Sequence, residues 1–379
     1  MLEQYLASER QSVLDLLMEL CQIPAPSNHE EKRACFCKSW LEDNGAEGVF
    51  IDEKLNVVYP YALEGHDELV VFAAHIDVVF PDTEKLPLAV KGDRLCCPGI
   101  GDDTANVAVL MHVIKYFAKH RPKTSYGVVF VCNSGEEGLG NLKGSREIVR
   151  KSGDRMNAFV SFDGYFTGIS NKAVGSSRYR ITCKTSGGHS YADFGKPSAV
   201  RYLSELVTRL YSFKLPDLGG RKLTYNVGMI EGGTSVNTIA QEASCLYEYR
   251  SDCLKGMEAA RAFFSAVIEG YSEDPDVEIE VELLGERPCS AECLNKKRQA
   301  EIQSFAQKAI KDRTGLSVPL EYGSTDSNIP LSIGIPAMTF GVVRGGGPHT
   351  REEWIETASL EQGFAIAMDV ALFVSGAEN

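Results

Sequence analysis

Two histidines and four acidic residues lie along this chain in an order that suits metal-assisted hydrolysis. They are His75, Asp102, the adjacent pair Glu136-Glu137, Asp163 and His349. Imidazole and carboxylate together suit zinc and related divalent cations. A carboxylate has two oxygens, so Asp102 can bridge two ions. Glu137, His349 and Asp102 are assigned to one ion, and His75, Asp163 and Asp102 to the other. Three carboxylates then nearly neutralise two divalent cations, and the residual positive charge favours an ionised water. Glu136 is left outside the ligand set. It is the candidate general base, taking a proton from a metal-bridging water and passing it to a leaving amine. Asp77 follows His75 by two residues and is placed to fix the other ring nitrogen of that histidine.

Taken singly, none of these residues is specific. A lone histidine is more often a surface group, and paired glutamates are usually a solvated loop. Asp102-Asp103 alone reads as a helix cap, and Gly345-Gly346-Gly347 as a flexible loop. Their weight comes from the elements that precede them. The apolar run at 69–74, inside a strand predicted over 68–79, leads to His75. A strand over 127–132 leads to Glu136, and one over 158–162 to Asp163. A strand over 337–342 comes before His349. Between them, Val107, Leu110, Met111, Ile114 and Phe117 mark a helix over 104–120, with Asp103 or Thr104 as its cap. Alternating strands and helices imply an α/β sheet with helices on both faces, and the carboxyl ends of such strands are where ligands bind.

From Gly175 onward the rhythm changes. Strands over 177–185, 223–230, 243–249 and 277–284, with helices over 198–213 and 256–271, follow the order β-α-β-β-α-β. That is the ferredoxin-like split unit. The expected division is a first catalytic part at 1–175, an inserted α+β unit at 176–288, and a second catalytic part at 289–379. A helix from 291 to 311, the strand at 337–342 and a last helix from Ser359 belong to the final part. The opening residues carry Leu2, Leu6, Val13, Leu16, Leu17 and Leu20 at helical spacing, and charged residues interrupt any signal-peptide core.

Bulk properties narrow the function class. The chain has 379 residues, 44% hydrophobic and 24% charged, with a formal net charge of −13. Such an acidic surface argues against nucleic acid or an anionic membrane as partner. No apolar run approaches the roughly 20 residues of a membrane span. Eleven cysteines are scattered without a framework. Cys35-x-Cys37, Cys96-Cys97 and Cys289-x-x-x-Cys293 read as reduced, mostly buried thiols of a cytoplasmic protein.

The segments AAHIDVV, GIGDDTAN, NSGEEGLG, SFDGY, SGGHS, GGTSVNTIAQEASCLYEYR, YGSTDSNIP and GGGPHTREEW resemble those of metallopeptidase family 20. That family includes acetylornithine deacetylase, succinyl-diaminopimelate desuccinylase, carboxypeptidase G, aminoacylase, dipeptidases and peptidase T. The resemblance implies a di-zinc exopeptidase-type catalytic domain carrying an inserted lid. It implies the roles given above to His75, Asp77, Asp102, Glu136, Glu137, Asp163 and His349, and a cis peptide between Asp102 and Asp103. It adds His189 as a lid histidine that polarises the substrate carbonyl, often across a homodimer. Asn237 is its amide partner, and Arg250 grips a substrate carboxylate. Co²⁺ and Mn²⁺ can occupy such sites in place of zinc. Two departures stand out. Asp103-Thr104-Ala105 replaces the Asp-Lys-Gly or Met-Lys-Gly of many relatives. Asp163 stands where deacetylases tend to have Glu, which tilts the expectation toward short peptides. An N-acyl amino acid deacylase is the alternative, and a catalytically silent metal-binding scaffold a distant third.

Overall fold

The computed structural model describes residues 2–292 and 295–377. They divide into two compact units. One comprises the residues up to Ala173 together with those from Ala291 onward, and the other is Val174–Ser290.

The larger unit is built on an eight-stranded mixed sheet. Its spatial order is Phe50–Ile51, Val57–Tyr61, Gly127–Asn133, Leu69–His75, Met156–Phe162, Ala337–Phe340, Ile169–Ala173 and Leu320–Gly323. The four strands from Gly127–Asn133 to Ala337–Phe340 run parallel to one another. Every residue of Leu69–His75 and Gly127–Asn133 is buried, as strands covered on both faces require. Val70, Phe72, Phe130 and Val160 pack with the helices Leu2–Leu20, Ala105–His120, Lys296–Thr314 and Ser359–Ser375. The alternate side chains Val71, Val131 and Phe159 pack with Ile148 and Val149 of the helix Lys143–Ser152. The register sets His75 opposite Asn133 and Phe162 opposite Phe340. Parallel strands end on a common edge, so the segments that follow all four emerge together.

Some local expectations need correction. The helix over 105–120 has no side-chain cap. The Thr104 hydroxyl donates to the Gly99 carbonyl at 2.6 Å instead. The Asp103 carboxylate accepts the His75 backbone N–H at 2.8 Å. Both residues lie in the segment Ile100–Thr104 that precedes the helix. A second small sheet, with strands Ala89–Lys91, Arg94–Cys96, Gly345–Gly346 and Trp354–Glu356, was not anticipated from the sequence.

The smaller unit is a four-stranded antiparallel sheet in the order Leu223–Gly232, Glu242–Ser251, Gly175–Lys184 and Glu278–Arg287. The helices Ala199–Leu210 and Leu254–Glu269 complete a β-α-β-β-α-β succession. Strand alternation decides its core. Ile181, Cys183, Cys245, Tyr247 and Tyr249 join Leu203, Leu206, Ala260 and Phe264, and the Tyr179 ring stacks on Phe264 at 4.4 Å between centroids. Among the described residues Cys21, Cys37, Cys97, Cys132, Cys183, Cys245 and Cys289 are buried and free, and Cys35 is exposed. Cys293 lies outside the described residues. No helix of the described residues is long and apolar enough to cross a membrane.

The helix Ser359–Ser375 crosses the chain just after the strand that leads to His349. A Cβ on Gly363 would stand 1.6 Å from the Val342 carbonyl oxygen. Gly363→Ala therefore overpacks this crossing and should destabilise the protein by at least about 1–3 kcal/mol. Urea denaturation checks this, and an unchanged midpoint contradicts it.

Candidate metal centre

The shared strand edge gathers the chemistry-bearing residues. His75 ends its strand, and its Nε2 lies 3.1 Å from Asp102 Oδ1 and 3.9 Å from Asp163 Oδ1. His349 Nε2 lies 3.2 Å from Asp102 Oδ2 and 3.1 Å from Glu137 Oε1. The two oxygens of Asp102 thus face different histidines. Three groups can each bring ligand atoms within 4.8 Å of one another: His75 with Asp102 and Asp163, Asp102 with Glu137 and His349, and His75 with Glu136 and Glu137. His75, Asp102, Glu136, Glu137, Asp163 and His349 meet in one place. His349 holds φ at 61°, in the left-handed region, which few side chains adopt without a structural cause.

A surrounding layer holds these groups. Asp77 does more than its spacing suggests. The nearest acceptor to His75 Nδ1 is the Asp77 main-chain carbonyl at 3.0 Å, with the carboxylate at 3.5 Å. The carboxylate is occupied elsewhere. It accepts the backbone N–H groups of Glu136 at 3.0 Å and Glu137 at 2.9 Å, and the Ser27 hydroxyl at 2.6 Å. One aspartate thus orients the imidazole through its backbone and the Glu136-Glu137 loop through its side chain. Asn106 ties three segments together. Its amide donates to Asp103 Oδ1 and to the Gly101 and Gly164 carbonyls, and its Oδ1 accepts the Val342 N–H. The peptide between Asp102 and Asp103 is cis. Ser27 carried no signal in the sequence, and Asn106, although it closes the segment GIGDDTAN, had no role assigned to it there.

The electrostatics fit a cation-binding site. The neighbouring Asp102 and Glu137 carboxylates push the His349 imidazole up to about 10, against the effect of burial. Burial disfavours the His75 imidazolium, but Asp103, Asp102, Asp77 and Asp163 outweigh it and hold its pKa well above the usual range. Burial, followed by the charge of Asp102, lifts the Asp163 carboxyl to about 7. Protons on the imidazoles supply the positive charge that so many carboxylates need. Glu137 Oε1 is buried without a hydrogen bond although His349 Nε2 is close by. An orphaned carboxylate oxygen beside an imidazole is the donor set a divalent cation takes up.

In the smaller unit, His189 pairs with Thr238 in a two-strand ladder, and the Ser190 N–H donates to the Asn237 carbonyl at 3.0 Å. His189 and Asn237 are therefore neighbours. His189 Nδ1 accepts the N–H groups of Tyr191 and Ala192 at 3.2 and 3.3 Å, which leaves Nε2 as the donor. Arg250 donates to both oxygens of Glu248 at 3.2 Å, and Arg178 shares that carboxylate at 3.4 Å.

A mixed sheet whose parallel edge gathers imidazoles and carboxylates is an arrangement that can hold divalent cations. This chain belongs to Peptidase family M20/M25/M40, which matches residues 71–372. It is similar to the succinyl-diaminopimelate desuccinylase of Corynebacterium glutamicum, 24% identical over 361 residues, covering 91% of this chain and 94% of that protein. Carboxypeptidase G2 of Pseudomonas sp. (strain RS-16) is 23% identical over 305 residues, covering 77% and 70%. The crystal structure of a tripeptidase from Staphylococcus aureus subsp. aureus mu50 shares the fold, with a TM-score of 0.77 at 21% identity, covering 97% of this chain and 99% of that one. The protein is an enzyme of this peptidase family.

The raised His349 pKa contributes to the pH response of the metal-free chain, together with the raised His75. An imidazole that rises from 6.5 to about 10 on folding contributes stability that is fully present below pH 6.5 and lost as the pH climbs through 10. Melting temperature in chelator should fall across that window, and His349→Gln should flatten the fall. Identical pH profiles for the two proteins contradict the assignment.

Proposed function

We propose that this enzyme is a two-cation amide hydrolase acting on short peptides, of the amino-, di- or tripeptidase type. The observation that carries the reading is the pair of donor triads sharing Asp102, with Glu136 at their rim. Glu137, His349 and Asp102 are the residues that would hold one cation, and His75, Asp163 and Asp102 the other. Zinc suits this mixture of nitrogen and oxygen donors, and Co²⁺ or Mn²⁺ can use the same set. Divalent cations bound there lower the pKa of water and polarise a carbonyl.

The remaining work falls to the chain itself. Glu136 is buried, and a carboxylate oxygen can lie within 4.8 Å of both a His75 nitrogen and a Glu137 oxygen. It takes a proton from the attacking water and delivers it to the departing amine nitrogen, so an amide and water become an acid and an amine. Asp77 keeps the Glu136 backbone in place for both transfers. In the smaller unit, read as a lid and a dimerisation element, the Nε2–H of His189 donates to a substrate carbonyl with Asn237 beside it. Arg250 receives a terminal carboxylate, exchanging Glu248 for the ligand.

Asp at position 163 and the likeness to a tripeptidase support peptides as substrates. The desuccinylase relative supports a second reading, an N-acyl amino acid deacylase using the same residues. Zinc-loaded protein tested on dipeptides, tripeptides and N-acyl amino acids separates the two. A requirement for a free α-amine excludes the deacylase, and turnover of none of these substrates ends both. Glu136→Gln should keep two cations per chain and lose about 10²–10⁴-fold in kcat. Retained turnover removes Glu136 from the role of base.

A further inference from the structure

The proposed ligand Asp102 needs something to hold it, because it faces two histidines and sits in a turn between the second small sheet and a helix. The segment Gly99 to Asp102 contributes three backbone N–H groups to one buried carboxylate, that of Glu353. Glu353 Oε2 accepts the Gly99 N–H at 2.7 Å. Its Oε1 accepts the N–H groups of Gly101 at 3.0 Å and Asp102 at 2.8 Å, and the Tyr165 hydroxyl at 2.8 Å. The backbone of Glu353 is also engaged, since its carbonyl accepts the Cys97 N–H at 3.1 Å. Glu353 lies four residues after His349 on the same loop. It therefore ties the loop carrying one proposed ligand to the turn carrying the shared one. The Tyr165 ring is wedged in the same place. A Cβ on Gly101 would lie 2.5 Å from it, and one on Gly345 2.4 Å, so glycine at both positions admits the ring.

We propose that Glu353, completed by Tyr165, is the positioning residue that fixes Asp102 between two cations and couples it to His349. Glu353 lies outside the candidate donor groups. It acts through the turn it holds. The proposal rests on the two-cation reading, and it makes a statement that a ligand to a single ion would not satisfy. Because Asp102 is shared, loosening it weakens both cations together.

A glutamine at position 353 keeps the size of the side chain but turns one acceptor into an N–H donor facing backbone N–H groups. Removing such a support around a metal ligand typically costs 10–100-fold in metal affinity. The test is zinc titration of the metal-free full chain by calorimetry, for wild type, E353Q and Y165F, with melting temperature of each metal-free protein measured alongside. Expected are two zinc ions in wild type and a 10–100-fold loss of affinity for both in E353Q. Y165F keeps three of the four hydrogen bonds and should lose less, in the same direction for both ions. Wild-type isotherms in E353Q and Y165F overturn the proposal, as does a loss confined to one ion or a fall in metal-free melting temperature with unchanged binding. If E353Q does not fold, Y165F alone decides. A wild-type chain that binds fewer than two zinc ions defeats the two-cation reading itself, which is a separate outcome.

Discussion

Carboxylates of like charge packed at the edge of a buried sheet are costly, and the surrounding architecture answers that cost. Asp77, Asp102, Asp103, Glu137 and Asp163 converge within a few ångströms of His75, and most of them are out of reach of water. Without cations the two imidazoles must remain protonated to offset them, as the upward shifts of His75 and His349 express. Burial and the charge of Asp102 raise the Asp163 carboxyl as well, to about 7, so it takes up a proton far more readily than a free carboxyl. Two divalent ions would replace those protons, which is why the proposed chemistry and the stability of the site are the same electrostatic problem.

Backbone N–H groups carry much of the answer. Asp77 accepts two from the Glu136-Glu137 loop, Asp103 accepts one from His75, and Glu353 accepts three from the turn that ends in Asp102. These three carboxylates lie outside the proposed ligand set, and each accepts the main-chain N–H of a residue inside it: Glu137, His75 and Asp102. Such donors favour the ionised form against burial; they and His75 keep the Asp77 carboxyl below its usual range, while burial still raises Asp103 and lifts Glu353 to about 7. The arrangement also explains why substituting one supporting acid should be felt at a ligand to which it is not covalently adjacent.

The four mutually parallel strands of the larger sheet were legible because buried parallel strands are uninterrupted apolar runs, and Leu69–His75 and Gly127–Asn133 are buried at every position. Val57–Tyr61 was missed because Pro60 lies inside it. It is tolerated because the neighbouring strand Phe50–Ile51 pairs only as far as Val57 and Val58, so no partner waits for the absent N–H on that side. The second small sheet was missed for another reason. Its strands come from segments more than two hundred residues apart and are only two or three residues long, too short for any periodic pattern. Thr104 and Asp103 read as helix caps because cap preference is a local rule. A neighbouring carbonyl, that of Gly99, takes the Thr104 hydroxyl, and a tertiary contact with His75 takes the Asp103 carboxylate.

By itself the sequence determined the longer buried strands and helices, the order of the candidate ligands and the placement of most of them at or just beyond strand ends, because these follow from side-chain chemistry and local periodicity. It also carried the family resemblance, since that rests on short segments read one at a time. Tertiary structure alone decided that both oxygens of Asp102 face histidines, that Asp77 serves a loop rather than only a ring, and that Glu353 reaches back to the turn at Gly99. Those facts depend on the register between strands and on hydrogen bonds between segments as much as 254 residues apart. No spacing rule along the chain encodes a distance closed by the packing of a whole sheet.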